Sequence, residues 1–238
     1  MTADEDPGQF DATACTTIPQ VIARMKQIDA ALPRNDGVAY FNRLYLQVTL
    51  AVDAATAGVT FKQPGFAEQL DVVFAALYFA AEETIRTGGE CPVAWRPLVE
   101  ERSTDRAPIQ FAIAGMNAHI DHDLPIAVVK TCEQLNLTPA NGSAAHADYQ
   151  SVNGILGKVE GQVAGWYEQG LIADIVDIDA ATKDVSNALA MWSIVDARNA
   201  AWSHARHLWN LRHVPALADL YCDMLARLVE LSSRGILI

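Results

Sequence analysis

Residues 115–125 read Gly-Met-Asn-Ala-His-Ile-Asp-His-Asp-Leu-Pro. On a continuous helix His119 and Asp123 are i and i+4 and share one face. That spacing lets a carboxylate orient a catalytic imidazole. It also lets both side chains ligate one divalent metal ion, with zinc, iron or manganese as candidates. Asn117 and His122 are close enough in sequence to add donors. A structural reading of the same residues stands beside this one. Pro125 disfavours a helical Leu124, so Asp123 would be the N-cap of a following helix and His119 a hydrogen-bonded core histidine. Asp121 and His122 read as surface residues. The dipeptide His122-Asp123 occurs in metal-dependent phosphohydrolases, but no histidine precedes His119 to act as their upstream ligand.

Other polar residues interrupt apolar helix faces. Asp71 breaks an otherwise apolar run from Leu70 to Ala81. Phe74 and Tyr78 fall on its face. The run is apolar on every side, which predicts a central helix and a buried Asp71, costly unless paired. Arg43 lies within Tyr40-Phe-Asn-Arg-Leu-Tyr-Leu46. Arg198 shares a stripe with Val195, Trp202, Ala205 and Trp209, and Asn153 lies on a stripe with Tyr149 and Leu156. We expect one polar cluster, with Arg43 and Arg198 neutralising carboxylates; buried ion pairs can equally serve only to fix helix packing. His204 and His207 could share a metal, but a solvated edge beside Trp202 and Trp209 explains them better.

Helices must position these side chains. Pro19 opens a segment that Pro33 stops, and Asp36 or Gly37 begins the next, to about Ala57. After a turn at Pro64-Gly65 a third helix runs from Phe66 to about Thr87, ended by Gly88-Gly89. Pro92 starts a short helix with Trp95 and Leu98, and Pro108 starts another through Ile120. The chain restarts at Asp123-Leu-Pro125 and ends that helix near Asn136. A long helix is expected from about Ala145 to Gln169. The longest begins at Asp177 or Asp179 and runs to His213; a last one follows Pro215 to about Ser233. The one strand candidate, Leu171–Ile178, is broken by aspartates. The prediction is an all-α, single-domain multi-helix bundle of eight or nine helices over residues 17–238, behind a flexible acidic tail at 1–16.

The chain has 238 residues, 51% of them hydrophobic, and a net charge of −12. That balance repels phosphate backbones and anionic membranes, so neither nucleic acid nor a membrane is an expected partner. Four scattered cysteines without metal-type spacing point to reduced thiols and a cytoplasmic location. There is no GxSxG, P-loop, GxGxxG, HExxH or EF-hand motif, nor the ExxH pair of a di-iron bundle.

The stretches Leu70–Phe79, Gly115–Ile120 and Asp123-Leu-Pro125 resemble a bacterial family, frequent in actinobacteria, catalogued as a domain of unknown function. Arg43-Leu-Tyr45, Pro92–Trp95, Tyr149–Asn153 and Ala197-Arg198 with Ala201-Trp202 fit the same pattern in the same order. The resemblance supplies positions rather than a reaction: Asp71, Asn117, His119, Asp123, Asn153 and Arg198 rise together as a site. A looser similarity to helical zinc phospholipases C is one of mechanism only.

The functional expectation is a small-molecule enzyme with a pocket among helices, doing hydrolytic or other acid/base chemistry with or without a divalent metal. His119, Asp123 and Asp71 would be catalytic. Asn117, Asn153, Arg43, Arg198, Tyr45 and Tyr78 would bind a small-molecule substrate or ligand. The alternative is a non-catalytic ligand-binding or scaffolding protein whose polar cluster only specifies packing. Either could act as a homodimer.

Overall fold

Helices begin and end where proline, glycine and capping side chains dictate. A computed structural model describes residues 15–168 and 193–238, and within them every regular element is helical. Helix α1 (Ile18–Ala31) carries Pro19 in its first turn, where the missing N–H has no helical acceptor to lose. Asp36 caps α2 (Gly37–Thr56), accepting from the Val38 N–H at 2.8 Å while Arg102 binds its other oxygen at 2.8 Å. Gly65, at φ +76°, turns the chain into α3 (Phe66–Arg86). A 3₁₀ turn, Val93–Trp95, leads into α4 (Arg96–Glu101).

Helix α5 (Pro108–Asn117) runs without a break through a π-helical turn, Ala118–Asp123, into α6 (Leu124–Gln134). Then come α7 (Ala144–Glu168), α8 (Ile194–Leu211) and α9 (Pro215–Ile236). None of these helices is long and apolar enough to cross a membrane.

Two expectations about boundaries need correction. Asp123 does not cap a new helix: its backbone is helical and its side chain makes no capping bond. The Leu124 N–H bonds back to the His119 carbonyl, five residues earlier. A π turn is wider than an α turn, and it resolves the usual clash of a proline ring with the carbonyl four residues before it. The helix that holds Arg198 does not start near Asp177. Ser193 is its N-cap, in extended conformation, and accepts from the Asp196 N–H. The proposed strand 171–178 lies outside the described residues.

Helix α2 forms the spine of the bundle and packs against α1, α4, α5 and α7. Gly115 sets its approach to α5: a Cβ there would stand 2.4 Å from the Phe41 ring. The close contact brings the α2 face bearing Tyr45 and Thr49 up to the π turn. Helix α3 lies against α6, and α9 closes the bundle over α5 and the π turn.

Candidate functional site

The π turn holds the densest polar arrangement in the interior. His119 is fully buried, and its Nδ1 lies 3.2 Å from Asp123 Oδ2. The same oxygen accepts the Trp95 indole N–H at 3.2 Å, and Asp123 Oδ1 lies 2.8 Å from His122 Nδ1. Burial works against a charged Asp123, but hydrogen bonds from His119 and His122 outweigh it and hold the carboxyl below its usual value. An ionised carboxylate only accepts, so His119 carries its proton on Nδ1 and Nε2 is a bare acceptor. Burial, opposed by Asp123, keeps the imidazole below its ordinary pKa, and it is neutral at pH 7. The ring is clamped: it stacks on Phe74 with centroids 3.5 Å apart and planes 5° from parallel, and Tyr45 meets it at 4.6 Å.

A small chamber of about 60 Å³ opens at this ring, lined by Tyr45, Thr49, Asp71, His119 and Arg198 among apolar neighbours. It adjoins a cleft of about 370 Å³, and the two share Thr49, Val52, Asp71, Phe74, Val152 and Arg198. Among the described residues, five buried polar side-chain atoms lack a hydrogen-bond partner: Tyr45 Oη, Thr49 Oγ1, Asp71 Oδ2, His119 Nε2 and Thr131 Oγ1. The first four belong to residues of the chamber wall. An unsatisfied buried polar group costs about 1–3 kcal/mol. Four of them around one small space, drawn from α2, α3 and the π turn, are what a polar ligand would satisfy.

Electrostatics sharpen the picture. Burial pushes Asp71 up to about 6, against the pull of Arg198 and helped by the charge of Asp53. Asp71 therefore exchanges its proton close to neutral pH. The Tyr45 hydroxyl is pushed well above its normal range by burial and by Asp71, so it stays a neutral donor. Arg198 is held from behind: its Nε donates to Asn153 Oδ1 at 2.6 Å, and its guanidinium lies 4.3 Å over the Tyr149 ring. Asn153 thus positions Arg198 and is not part of the wall.

Three expected site residues direct their polar groups elsewhere, although the Tyr78 ring itself lies 6.0 Å from the His119 ring. Arg43 Nε donates to Asp29 at 2.6 Å, on the α1 side of the bundle. It is two residues from Tyr45, and a helix turns about 200° in that interval, so both cannot face the chamber. Asn117 donates to Ser233 Oγ at 2.8 Å, Ser232 Oγ at 2.9 Å and the Val229 carbonyl, fastening the π turn to α9. The Tyr78 hydroxyl donates to Asn42 Oδ1 at 3.1 Å.

Trp95 and Thr49 are the residues that sequence reasoning missed, and His122, named there as a possible donor, is the one it read as a surface residue. Thr49 follows Tyr45 by four residues and so shares its face. A buried tryptophan needs a partner for its N–H. His122 is no surface residue, since its side chain is only 16% exposed and bonds Asp123. Burial likewise pushes Asp121 up to about 6.

A divalent ion between His119 and Asp123 does not fit these residues. Asp123 Oδ2 already faces two N–H groups, and among the described residues no three His, Cys, Asp or Glu side chains gather as a ligand set. His204 Nδ1 contacts the Tyr221 hydroxyl at 2.8 Å and His207 Nδ1 the Ser203 carbonyl at 2.8 Å, so that nitrogen of each ring is already engaged.

No curated protein and no solved structure matches the chain. A family model does, over residues 18–237, which takes in every helix described above. The chain belongs to DUF5995, a family of unknown function.

Proposed function

We propose that this protein is a small-molecule enzyme that uses the His119–Asp123 dyad for acid/base chemistry, hydrolysis being the simplest case. The observation that carries the proposal is that four buried polar atoms without a partner among the described residues belong to the wall of one chamber beside a larger cleft.

The roles follow from the groups. Asp123 keeps the His119 proton on Nδ1, so Nε2 accepts a proton from water or from a substrate hydroxyl or C–H acid. The charge that develops on the imidazole is met by Asp123. Asp71, with a pKa near 6, supplies the complementary carboxyl, able to return a proton to a leaving group. The Tyr45 and Thr49 hydroxyls donate to oxygen that gains negative charge, and Arg198 adds a fixed positive charge. The 370 Å³ cleft takes the remainder of the substrate, the size class of a metabolite rather than a polymer. All four cysteines are free thiols, in keeping with a cytoplasmic setting.

Incubation with a polar metabolite extract, read by mass spectrometry, tests the proposal. At least one metabolite should be consumed by the wild-type protein and spared by a folded His119→Gln variant. Identical profiles for the two would contradict an enzyme. Retention of a metabolite without conversion would assign the chamber to a binding protein.

A further inference from the structure

Helix α9 has two apolar faces and the bundle uses one. Leu225, Ala226, Val229 and Ser233 are buried against the core. On the other side Leu217, Leu220, Met224, Leu228 and Leu231 are 48%, 64%, 46%, 57% and 70% exposed. Single exposed apolar residues are ordinary, but four leucines and a methionine in one stripe along one helix mark an interaction surface. Their intervals are three, four, four and three residues, averaging ~3.5, the repeat of a helix that packs along a partner helix.

The order of those intervals reads the same in both directions. Two antiparallel copies with a two-fold axis at Met224 therefore match Leu217 to Leu231 and Leu220 to Leu228, with Met224 facing its own copy. Charge follows the same symmetry. The charged residues of the first half are the exposed Asp219 and Asp223; the second half carries the exposed Arg227 together with Arg234 and Glu230, which pair with each other at 2.9 Å, so its net charge is positive. Antiparallel pairing sets acidic against basic ends, while parallel pairing sets like against like. We propose that α9 is a homodimer interface, and that its occupant is the α9 of a second copy in antiparallel register. The helix is 22 residues long, about 33 Å, enough for the whole stripe to be covered by its counterpart. The inner face of α9 holds Asn117, so the interface would brace the element that carries His119.

Sedimentation and cysteine cross-linking of the full chain test this. Wild-type protein at about 100 μM should sediment at twice the 25.8 kDa chain mass. The double variant Leu220→Glu/Leu228→Glu should keep its helical circular dichroism and raise the dissociation constant by roughly 100-fold or more. On a Cys222→Ser background, Met224→Cys should form a disulfide-linked dimer under mild oxidation. Leu217→Cys should not link to itself but should link to Leu231→Cys when the two are mixed. A wild-type monomer would overturn the proposal, whether the stripe is bare or covered by another segment of the same chain. So would a dimer untouched by the double variant, and so would Leu217→Cys self-linking as readily as Met224→Cys, the mark of parallel pairing.

Discussion

Asn42 and Tyr45 lie one turn apart on α2, and the bundle treats them in opposite ways. Asn42 is completely buried yet satisfied, its amide donating to the Met25 carbonyl at 2.9 Å and its oxygen taking the Tyr78 hydroxyl at 3.1 Å. Tyr45, and Thr49 a further turn along, are also buried and present hydroxyls with no partner among the described residues. The Asn42 station is closed and serves packing. The Tyr45 station is open, faces a chamber, and has His119 and Asp71 opposite it. In this fold a polar side chain inside an apolar helix face is therefore not in itself a sign of function; an unmet bonding capacity beside empty space is.

Activity should separate the two stations most strongly. His119→Gln should lower kcat/KM for the substrate by about 100-fold or more, the usual loss when a positioned general base is removed. Asn42→Leu should leave turnover per folded molecule unchanged while lowering stability. Equal losses of activity in both variants would erase the distinction.

Stability as a function of pH gives the next largest effect. Asp71 keeps its proton up to about pH 6 in the folded chain, against an ordinary value of 3.8. Between those values the folded state binds the extra proton, so stability falls as pH rises, with the full loss in place above about pH 6. Asp71→Asn should therefore raise stability near pH 7 by roughly 2–3 kcal/mol and flatten the slope between pH 4 and 6 in urea titrations. Asp121, raised in the same sense, leaves a residual slope. Asp123 works oppositely: held below 3.8, it stabilises the fold above that value and the contribution fades as pH drops further. An Asp71→Asn variant with an unaltered pH profile would place that carboxyl in water.

Single hydroxyl deletions should separate the two stations by a smaller amount. Tyr78→Phe breaks a satisfied hydrogen bond and should cost about 1 kcal/mol. Tyr45→Phe and Thr49→Val remove hydroxyls that have no partner among the described residues and should be neutral or slightly stabilising without ligand. Equal destabilisation by Tyr45→Phe and Tyr78→Phe in urea denaturation would mean the Tyr45 hydroxyl is bonded after all.

Much of this could be read in the sequence, for definable reasons. Prolines and glycines fixed most helix starts and stops, and periodicity singled out Asp71, Asn153 and Arg198 as polar positions on buried faces. Periodicity cannot say where a buried polar group finds its partner. Asn117, Tyr78 and Arg43 carry the same signal as His119, yet Ser233, Asn42 and Asp29 complete them across long sequence separations. The π turn was also beyond reach, because one extra residue in a turn leaves the apolar pattern almost intact while re-aiming His119 and absorbing Pro125. Trp95 was placed on a helix but not in the site, since only the fold brings its indole to Asp123.

Acid/base chemistry here turns on a single ring nitrogen, the unprotonated Nε2 of His119, buried without a partner among the described residues on a ring that lines the chamber. Nitrogen-15 NMR of histidine-labelled protein reads this directly. The expected result is a neutral His119 with its proton on Nδ1 at pH 7, a loss of that tautomer preference in Asp123→Asn, and a shift of Nε2 alone among the histidine nitrogens when substrate is added. A His119 protonated on Nε2 at pH 7, or an Nε2 signal indifferent to substrate, would contradict it.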